Sequence, residues 1–144
     1  MEDRIRRLRE MLDHSDYTVA LCGTGVMEES GYVAIKKQAR AYEIEELYGD
    51  PPEEIFTSAY FTARPAKFFH FYRQEILNKI PEPAGSSYAL AAMERAGRLQ
   101  CVITTNKFEQ ERRAGCENVI ELHGSVFQNR CPHCGEYYTV EDMK

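Results

Sequence analysis

No stretch of the 144-residue sequence holds the roughly 18–20 consecutive apolar residues that span a bilayer, so there is no candidate membrane helix. The N-terminus, from Met1 to Glu10, is charged, and no apolar core follows it as a secretory signal requires. Basic charge is short: 18 Lys and Arg against 23 Asp and Glu give a net charge of −5, without the basic excess of a dedicated nucleic-acid binder. There are only five cysteines, and an odd number without a signal sequence argues against a disulfide scaffold. These absences predict a soluble, cytoplasmic chain whose direct partners include neither membrane nor nucleic acid. What is present, 43% hydrophobic and 28% charged residues, lies near the globular average and excludes wholesale disorder. The length suits one domain with its own core. The sequence leaves the oligomeric state open.

The cysteines keep two kinds of company. Cys22 and Cys101 lie in the apolar runs VALC and CVIT and are expected to be small core residues. Cys116 follows Gly115 in a turn, with nothing nearby to activate a thiolate. Cys131-Pro132-His133-Cys134-Gly135 is a knuckle whose two thiolates suit one tetrahedral zinc. No second CxxC is present, so Cys131 and Cys134 are two of the four ligands a structural zinc needs. His133 sits inside the knuckle, where a side chain points away from the metal. A redox CxxC should follow a strand and open a helix, whereas Tyr137, Tyr138 and Val140 after this one favour half a ribbon. A pair of ordinary surface cysteines is the remaining alternative.

Periodicity organises the rest. Ile5, Leu8 and Leu12 repeat at helical spacing over residues 2–13, with acids in the first turn. Tyr17 to Cys22 reads as a strand buried on both faces, closing on Gly23-Thr24-Gly25 in the manner of a mononucleotide-binding βα unit. In Asp50-Pro51-Pro52-Glu53, Asp50 is the expected helix cap, Pro51 the first helical residue and Glu53 its capping-box partner. Phe68, Phe69, Tyr72 and Ile76 share one face of a further helix within an aromatic stretch that reads as core. Pro81 to Gly85 breaks the chain, and Ala89, Leu90, Met93 and Ala96 then line a helix ending near Gly97. Cys101–Thr104 and Val119–Leu122 are the second and third strands. Strands separated by helical stretches imply a Rossmann-like α/β fold: a parallel sheet with right-handed crossovers and helices on both faces.

In such a sheet, ligands bind at the carboxyl ends of the strands. Gly23–Gly25, Asn106 and His123 fall at those three ends. The glycine turn is a weak fingerprint alone, because Glu28 stands where the dinucleotide motif wants glycine. Asn106 could orient a hydroxyl or a water, donating and accepting at once, or could cap the helix after it. His123 carries an imidazole that titrates near neutrality and suits a general base. His14 and His70 are expected to be structural.

At this point four segments together resemble the sirtuins, the Sir2 family of NAD-dependent protein deacylases. Gly23-Thr24-Gly25-Val26-Met27-Glu28-Glu29-Ser30-Gly31 is similar to the family's GAGxSxxSG loop. Ile103-Thr104-Thr105-Asn106, followed by Arg113-Ala114-Gly115, resembles ITQN…RAG. Val119 to Gly124 resembles VxELHG, and Cys131 to Cys134 falls where the first zinc knuckle falls. The resemblance implies that NAD is cleaved to nicotinamide as the carbonyl oxygen of an acylated lysine attacks its ribose, with the acyl group passing to ADP-ribose. His123 would be the base toward a ribose hydroxyl, and Asn106 would hold the ribose and a water. Gly23, Thr24 and Gly25 would admit the phosphates, and Ser30 and Gly31 would open the cofactor loop. Thr105 belongs to the same cofactor-binding set. The implied partner is an acyl-lysine protein or peptide.

Where the family reads GIPDFR, this chain reads Gly31-Tyr32-Val33-Ala34-Ile35-Lys36, and Lys36 lacks the bidentate fork of arginine. After Asn106 come Lys107 and Phe108, where the family places isoleucine and an aspartate that reaches the nicotinamide carboxamide. Met27 and Thr105 stand where the family has serine and glutamine. Three functions follow as alternatives: lysine deacylation, ADP-ribosyl transfer or NAD hydrolysis, and a non-catalytic NAD-binding module. The resemblance also divides the chain into a Rossmann-like NAD-binding portion (1–31 and 84–124), a helical insertion with the cofactor loop (32–83) and an incomplete zinc ribbon (125–144). It leads to the expectation of a chain truncated after the first knuckle, with weak or no NAD turnover on its own.

Overall fold

The computed structural model describes residues 2–144. In chain order the elements are α1 (Glu2–Asp13), β1 (Val19–Cys22), α2 (Thr24–Glu29), α3 (Gln38–Tyr48), α4 (Pro52–Ile55), α5 (Ser58–Ala63) and α6 (Pro65–Glu75). A 3₁₀ turn (Leu77–Lys79) precedes α7 (Gly85–Arg95), β2 (Cys101–Thr104), α8 (Gln110–Arg113), β3 (Val119–Glu121), β4 (Asn129–Arg130), β5 (Tyr137–Tyr138) and α9 (Val140–Met143). The main sheet is parallel in the order β1-β2-β3, and β4 and β5 form a separate antiparallel pair. The Rossmann-like expectation therefore holds in its parallel, helix-flanked sheet. No helix among the described residues is long and apolar enough to cross a membrane.

Register decides which side of the sheet is covered. Ala20 pairs with Val102 and Val102 with Val119, so these three residues share one face. That face packs in a cluster with Cys22, Ala91, Leu99 and Cys116. The opposite face carries Val19, Leu21 and Ile120, and Leu21 is 76% exposed. The expectation that the first strand is buried on both faces is corrected here: β1 and β3 each present one uncovered apolar side. Helix α1 does form over the predicted span, but none of its residues is buried and its stripe of Ile5, Leu8 and Met11 is exposed. Asp13 holds α1 to Arg98 through an ion pair at 2.9 Å.

Three apolar clusters carry the packing. The first lies under the sheet. A second, built from Ile44, Ile55, Tyr60 and Phe71, is the centre of the helical region. The third joins Ile76, Leu77, Phe108, Val126 and Val140 and forms the seam where helices, strand ends and residues 126–143 meet. Two helix faces differ from expectation. On α6 the most buried residues are Phe71 and Glu75, one turn apart, with Phe68 and Tyr72 flanking them. On α7 they are Ser87 and Ala91, while Ala89 and Ala96 are exposed. Small residues sit on that face because α7 lies close against the sheet and α2.

Local chemistry explains the helix ends. Pro51, not Asp50, is the N-cap of α4, and Pro52 takes the first helical position. The Asp50 carboxylate is drawn instead to Tyr60, whose hydroxyl donates to it at 2.8 Å, and to Arg64 at 3.1 Å. Thr57 caps α5 by accepting from the Tyr60 amide, and Thr139 forms a complete capping box with Asp142 on α9. Gly49 ends α3 at φ 78°, in the left-handed region where a side chain is strained.

Candidate active site

The carboxyl ends of β1 and β2 are stitched together by their following residues. The Thr105 amide donates to the Cys22 carbonyl at 3.1 Å, and the Thr105 hydroxyl reaches the same oxygen at 3.4 Å. One residue on, the Asn106 side chain donates through Nδ2 to the Gly23 carbonyl at 2.9 Å. The Asn106 amide itself donates to Thr104 Oγ1 at 3.2 Å, which locks the backbone as it leaves the sheet. Asn106 is 1% exposed, and its Oδ1 is buried with no partner among the described residues. It caps no helix, since Glu109 is the N-cap of α8. An amide held by its donor with its acceptor free is oriented to receive a hydrogen bond from whatever fills the neighbouring space.

A cavity of about 460 Å³ lies at the strand ends, and Asn106 borders it although its Oδ1 is enclosed. Thr24, Thr105, Asn106 and His123 line its polar side, and Met27, Phe56, Tyr72, Ile76 and Val126 its apolar side. The apolar wall comes mostly from the helical region and the seam, so the cavity exists only where the modules are packed together. His123 lies just beyond β3, with an exposed ring that makes no hydrogen bond to the described residues. Ser30 and Gly31 line a second cavity, also about 460 Å³, which shares Tyr32 and Ile35 as walls with the first. Gly23 is the N-cap of α2, and Gly25 lies in the first turn of that short helix. Gly31 takes φ 82° as the chain turns into the loop.

The departures from the Sir2 pattern have clear places. Phe108 is 4% exposed and meets Tyr32 edge-on, ring centres 5.0 Å apart. Both rings line the cavity with Asn106, and Phe108 brings carbon where the family's aspartate would bring a hydrogen-bond acceptor. Lys36 and Lys107 lie at its rim. Burial and neighbouring Glu111 push the Cys22 thiol up to about 12, and burial with Glu94 and Glu111 pushes Cys116 up to about 11. Both therefore stay protonated near neutrality, as expected for core cysteines, and supply no nucleophile.

The second cavity is lined by a charge cluster that no sequence motif marks, Arg40, Glu75 and Lys79. Glu75, 4% exposed, accepts from Lys79 at 2.6 Å and Tyr48 at 3.0 Å and pairs with Arg40. Burial pushes its carboxyl up, but the bonds from Lys79, Arg40 and Tyr48 more than reverse this and leave it below the ordinary carboxylate range. A lowered folded-state value means this stabilisation is full above the ordinary carboxylate pKa and is lost as pH falls from there through the lower folded-state value. Glu75→Gln should cost about 1–3 kcal/mol at neutral pH and flatten the decline in urea midpoint between pH 6 and pH 3.5. An unchanged acid profile would remove Glu75 from the group that sets it.

Cys131 and Cys134 lie on the turn between β4 and β5. The Gly135 amide donates to the Cys131 carbonyl at 2.9 Å, and the Cys131 amide to Glu136 at 2.8 Å. Amides of Cys134 and His133 hold the Cys131 thiol below its ordinary value. No third His, Cys, Asp or Glu among the described residues joins them in a metal-binding group. The turn thus fits two corners of a tetrahedral site. The short strand β4 runs into Cys131, but no helix opens at Cys134 as a redox CxxC requires, since β5 follows and the next helix starts at Val140.

A parallel α/β sheet with a cavity at its strand ends, lined by an oriented amide and an imidazole, is the Rossmann-like class of nucleotide-cofactor fold. The Sir2 family model matches residues 23–144. The chain is 32% identical over 139 residues to an NAD-dependent protein deacetylase of Clostridium acetobutylicum, covering 96% of this chain and 57% of that protein. It is 34% identical over 150 residues to NAD-dependent protein deacylase 2 of Archaeoglobus fulgidus, covering 99% and 56%. A solved structure of Sir2 with a p53 peptide and NAD+ superposes with a TM-score of 0.76 at 30% identity, over 96% of this chain and 53% of that one. The chain belongs to the Sir2 family. It spans a little over half the length of the curated relatives it matches.

Proposed function

We propose that this chain forms the catalytic side of an NAD-dependent protein lysine deacylase. The observation that carries the reading is Asn106: buried at the strand ends, fixed through Nδ2 to Gly23, its Oδ1 without a partner among the described residues, and lining one cavity with His123. When bound, NAD supplies an activated ribose whose nicotinamide is the leaving group. Asn106 would fix a ribose hydroxyl or a water by accepting its hydrogen. His123, which makes no hydrogen bond to the described residues, would take a proton from a second hydroxyl. Thr24 and Thr105 lie where their hydroxyls could orient the rest of the cofactor, and the carbonyl of Gly23 keeps the asparagine from rotating. The apolar wall of Tyr72, Ile76 and Val126 excludes water from a reaction that hydrolysis would otherwise divert.

The acyl-lysine substrate is supported by two neighbouring Sir2 structures, one solved with an acetylated peptide and one with a p53 peptide and NAD+. Phe108 favours a second reading, an NAD-binding module without turnover, since it replaces a polar contact with an apolar ring. One experiment separates the readings. Nicotinamide release from NAD is followed with and without an acyl-lysine peptide, and products are weighed by mass spectrometry. Deacylation yields peptide-dependent release and acylated ADP-ribose. Release without peptide, giving free ADP-ribose, indicates NAD hydrolysis, and a mass gain on protein indicates ADP-ribosyl transfer. NAD binding by calorimetry without release leaves the non-catalytic module.

Cys131 and Cys134 are proposed as two ligands of a structural zinc. Their knuckle would place the metal beside β4 and β5, in the segment that follows His123 and Val126 of the strand-end cavity.

A further inference from the structure

Two chain segments cross between the sheet and the helical region. One leaves α2 at Ser30 and Gly31, and the other returns through Pro81 and Glu82 to α7. Short helix α8 grips both. Gln110 donates through Nε2 to Ser30 Oγ at 2.7 Å and to the Glu82 carbonyl at 3.1 Å. Arg113 donates to the Pro81 carbonyl at 2.8 Å and pairs with the Glu82 carboxylate at 2.6 Å. Among the described residues Ser30 Oγ makes one other hydrogen bond, donating to the Val26 carbonyl at 3.4 Å, so Gln110 is its principal partner.

Gln110 is a poor choice for stability. It is fully buried, and its Oε1 has no partner among the described residues. A buried orphan acceptor costs free energy that leucine, of similar volume, would not incur. The residue is thus explained by what its Nε2 holds rather than by packing. The turn that positions α8 is strained as well: Glu109, its N-cap, stands at φ 50° and is the sole described non-glycine residue with positive φ.

We infer that Gln110 is a positioning residue: it clasps the outgoing segment at Ser30 to the returning segment at Glu82, fixing the start of the loop that runs between the two cavities and thereby the affinity for NAD. The NAD clause rests on the function proposed above, while the clasp itself does not. Hydrogen exchange by mass spectrometry, read without ligand, tests the clasp. In Gln110→Leu the amides of residues 31–37 should exchange about fivefold faster, the factor of one net hydrogen bond. The thermal midpoint should hold or rise, which a purely structural role would not allow. Ser30→Ala should loosen the same segment, and the double variant should be no looser than the looser single one, because both remove one contact. Unchanged exchange at 31–37 in both single variants, or acceleration spread evenly over the whole chain, would overturn the clasp.

Calorimetry with NAD then tests its consequence. A Kd at least threefold weaker in Gln110→Leu, with loosening confined to the loop, is the expected result. Loosening with no change in NAD affinity overturns the link to the cofactor and leaves the clasp standing. No NAD binding by the parent chain counts against the proposed function instead.

Discussion

With alanine at His123, transfer of the acyl group from lysine to ADP-ribose should fall by about 10²–10⁴-fold, the loss expected when a general base is removed. His123 is placed by the last strand of the sheet, lines the same cavity as Asn106, and makes no hydrogen bond to the described residues that would commit its ring elsewhere. Because its side chain is exposed, the substitution should leave the folded state intact, and a urea midpoint within error of the parent would establish that. Product mass is the readout, since loss of acylated ADP-ribose is the specific consequence. Full acyl transfer in the folded variant would end the assignment of His123 as base. Companion variant Asn106→Ala removes the oriented amide and frees the Gly23 carbonyl, so NAD affinity should weaken by tenfold or more.

The second large effect is on stability. Phe71→Ala should cost about 3–5 kcal/mol, lowering the thermal midpoint by roughly 10 °C or more. Phe71 is 1% exposed at the centre of the Ile44, Ile55 and Tyr60 cluster, with Tyr48 and Phe56 edge-on against its ring at 5.1 and 5.4 Å. Truncation would therefore leave a cavity with aromatic walls that cannot easily collapse. Phe56 also lines the strand-end cavity, so any activity should fall at temperatures where the variant is still folded. Leu21→Ala is the control. Leu21 belongs to the sheet but is 76% exposed, and its loss should stay within about 0.5 kcal/mol. Equal costs at the two positions would mean that the exposed sheet face is covered in solution.

Much of the site could be read without coordinates because it lies at strand ends. Short apolar runs mark buried strands, and the residues just after them must lie at one edge of a parallel sheet. Thr105, Asn106 and His123 follow such runs directly, and the structure brings the three onto one cavity with Thr24. Gln110 and Glu75 escaped because no periodic signal sets a buried polar residue apart from an exposed one. Gln110 stands between Glu109 and Glu111, just before Arg112 and Arg113, a charged setting that reads as solvent-facing. Its partner Ser30 lies 80 residues away, beyond any local pattern. Asp50 shows the reverse error. Its local signal is a helix cap, yet the hydroxyl of Tyr60 and the guanidinium of Arg64 bind its carboxylate more strongly than a cap would.

Sequence alone determined the parallel α/β order, the three strands, the ordered motifs that resemble the Sir2 family and the candidate residues at the strand ends. These depend on neighbours within a few positions, where steric preference and hydrophobic period act directly. Tertiary structure decided which side of each strand is covered, which polar side chains are buried, and how the helical region closes the cavity. Those outcomes depend on register between segments up to 83 residues apart, as in the bond from Asn106 to Gly23. A period-two pattern cannot say which face of a strand meets a helix, and Leu21 and Val102 look alike in the sequence while one is 76% exposed and the other 0%.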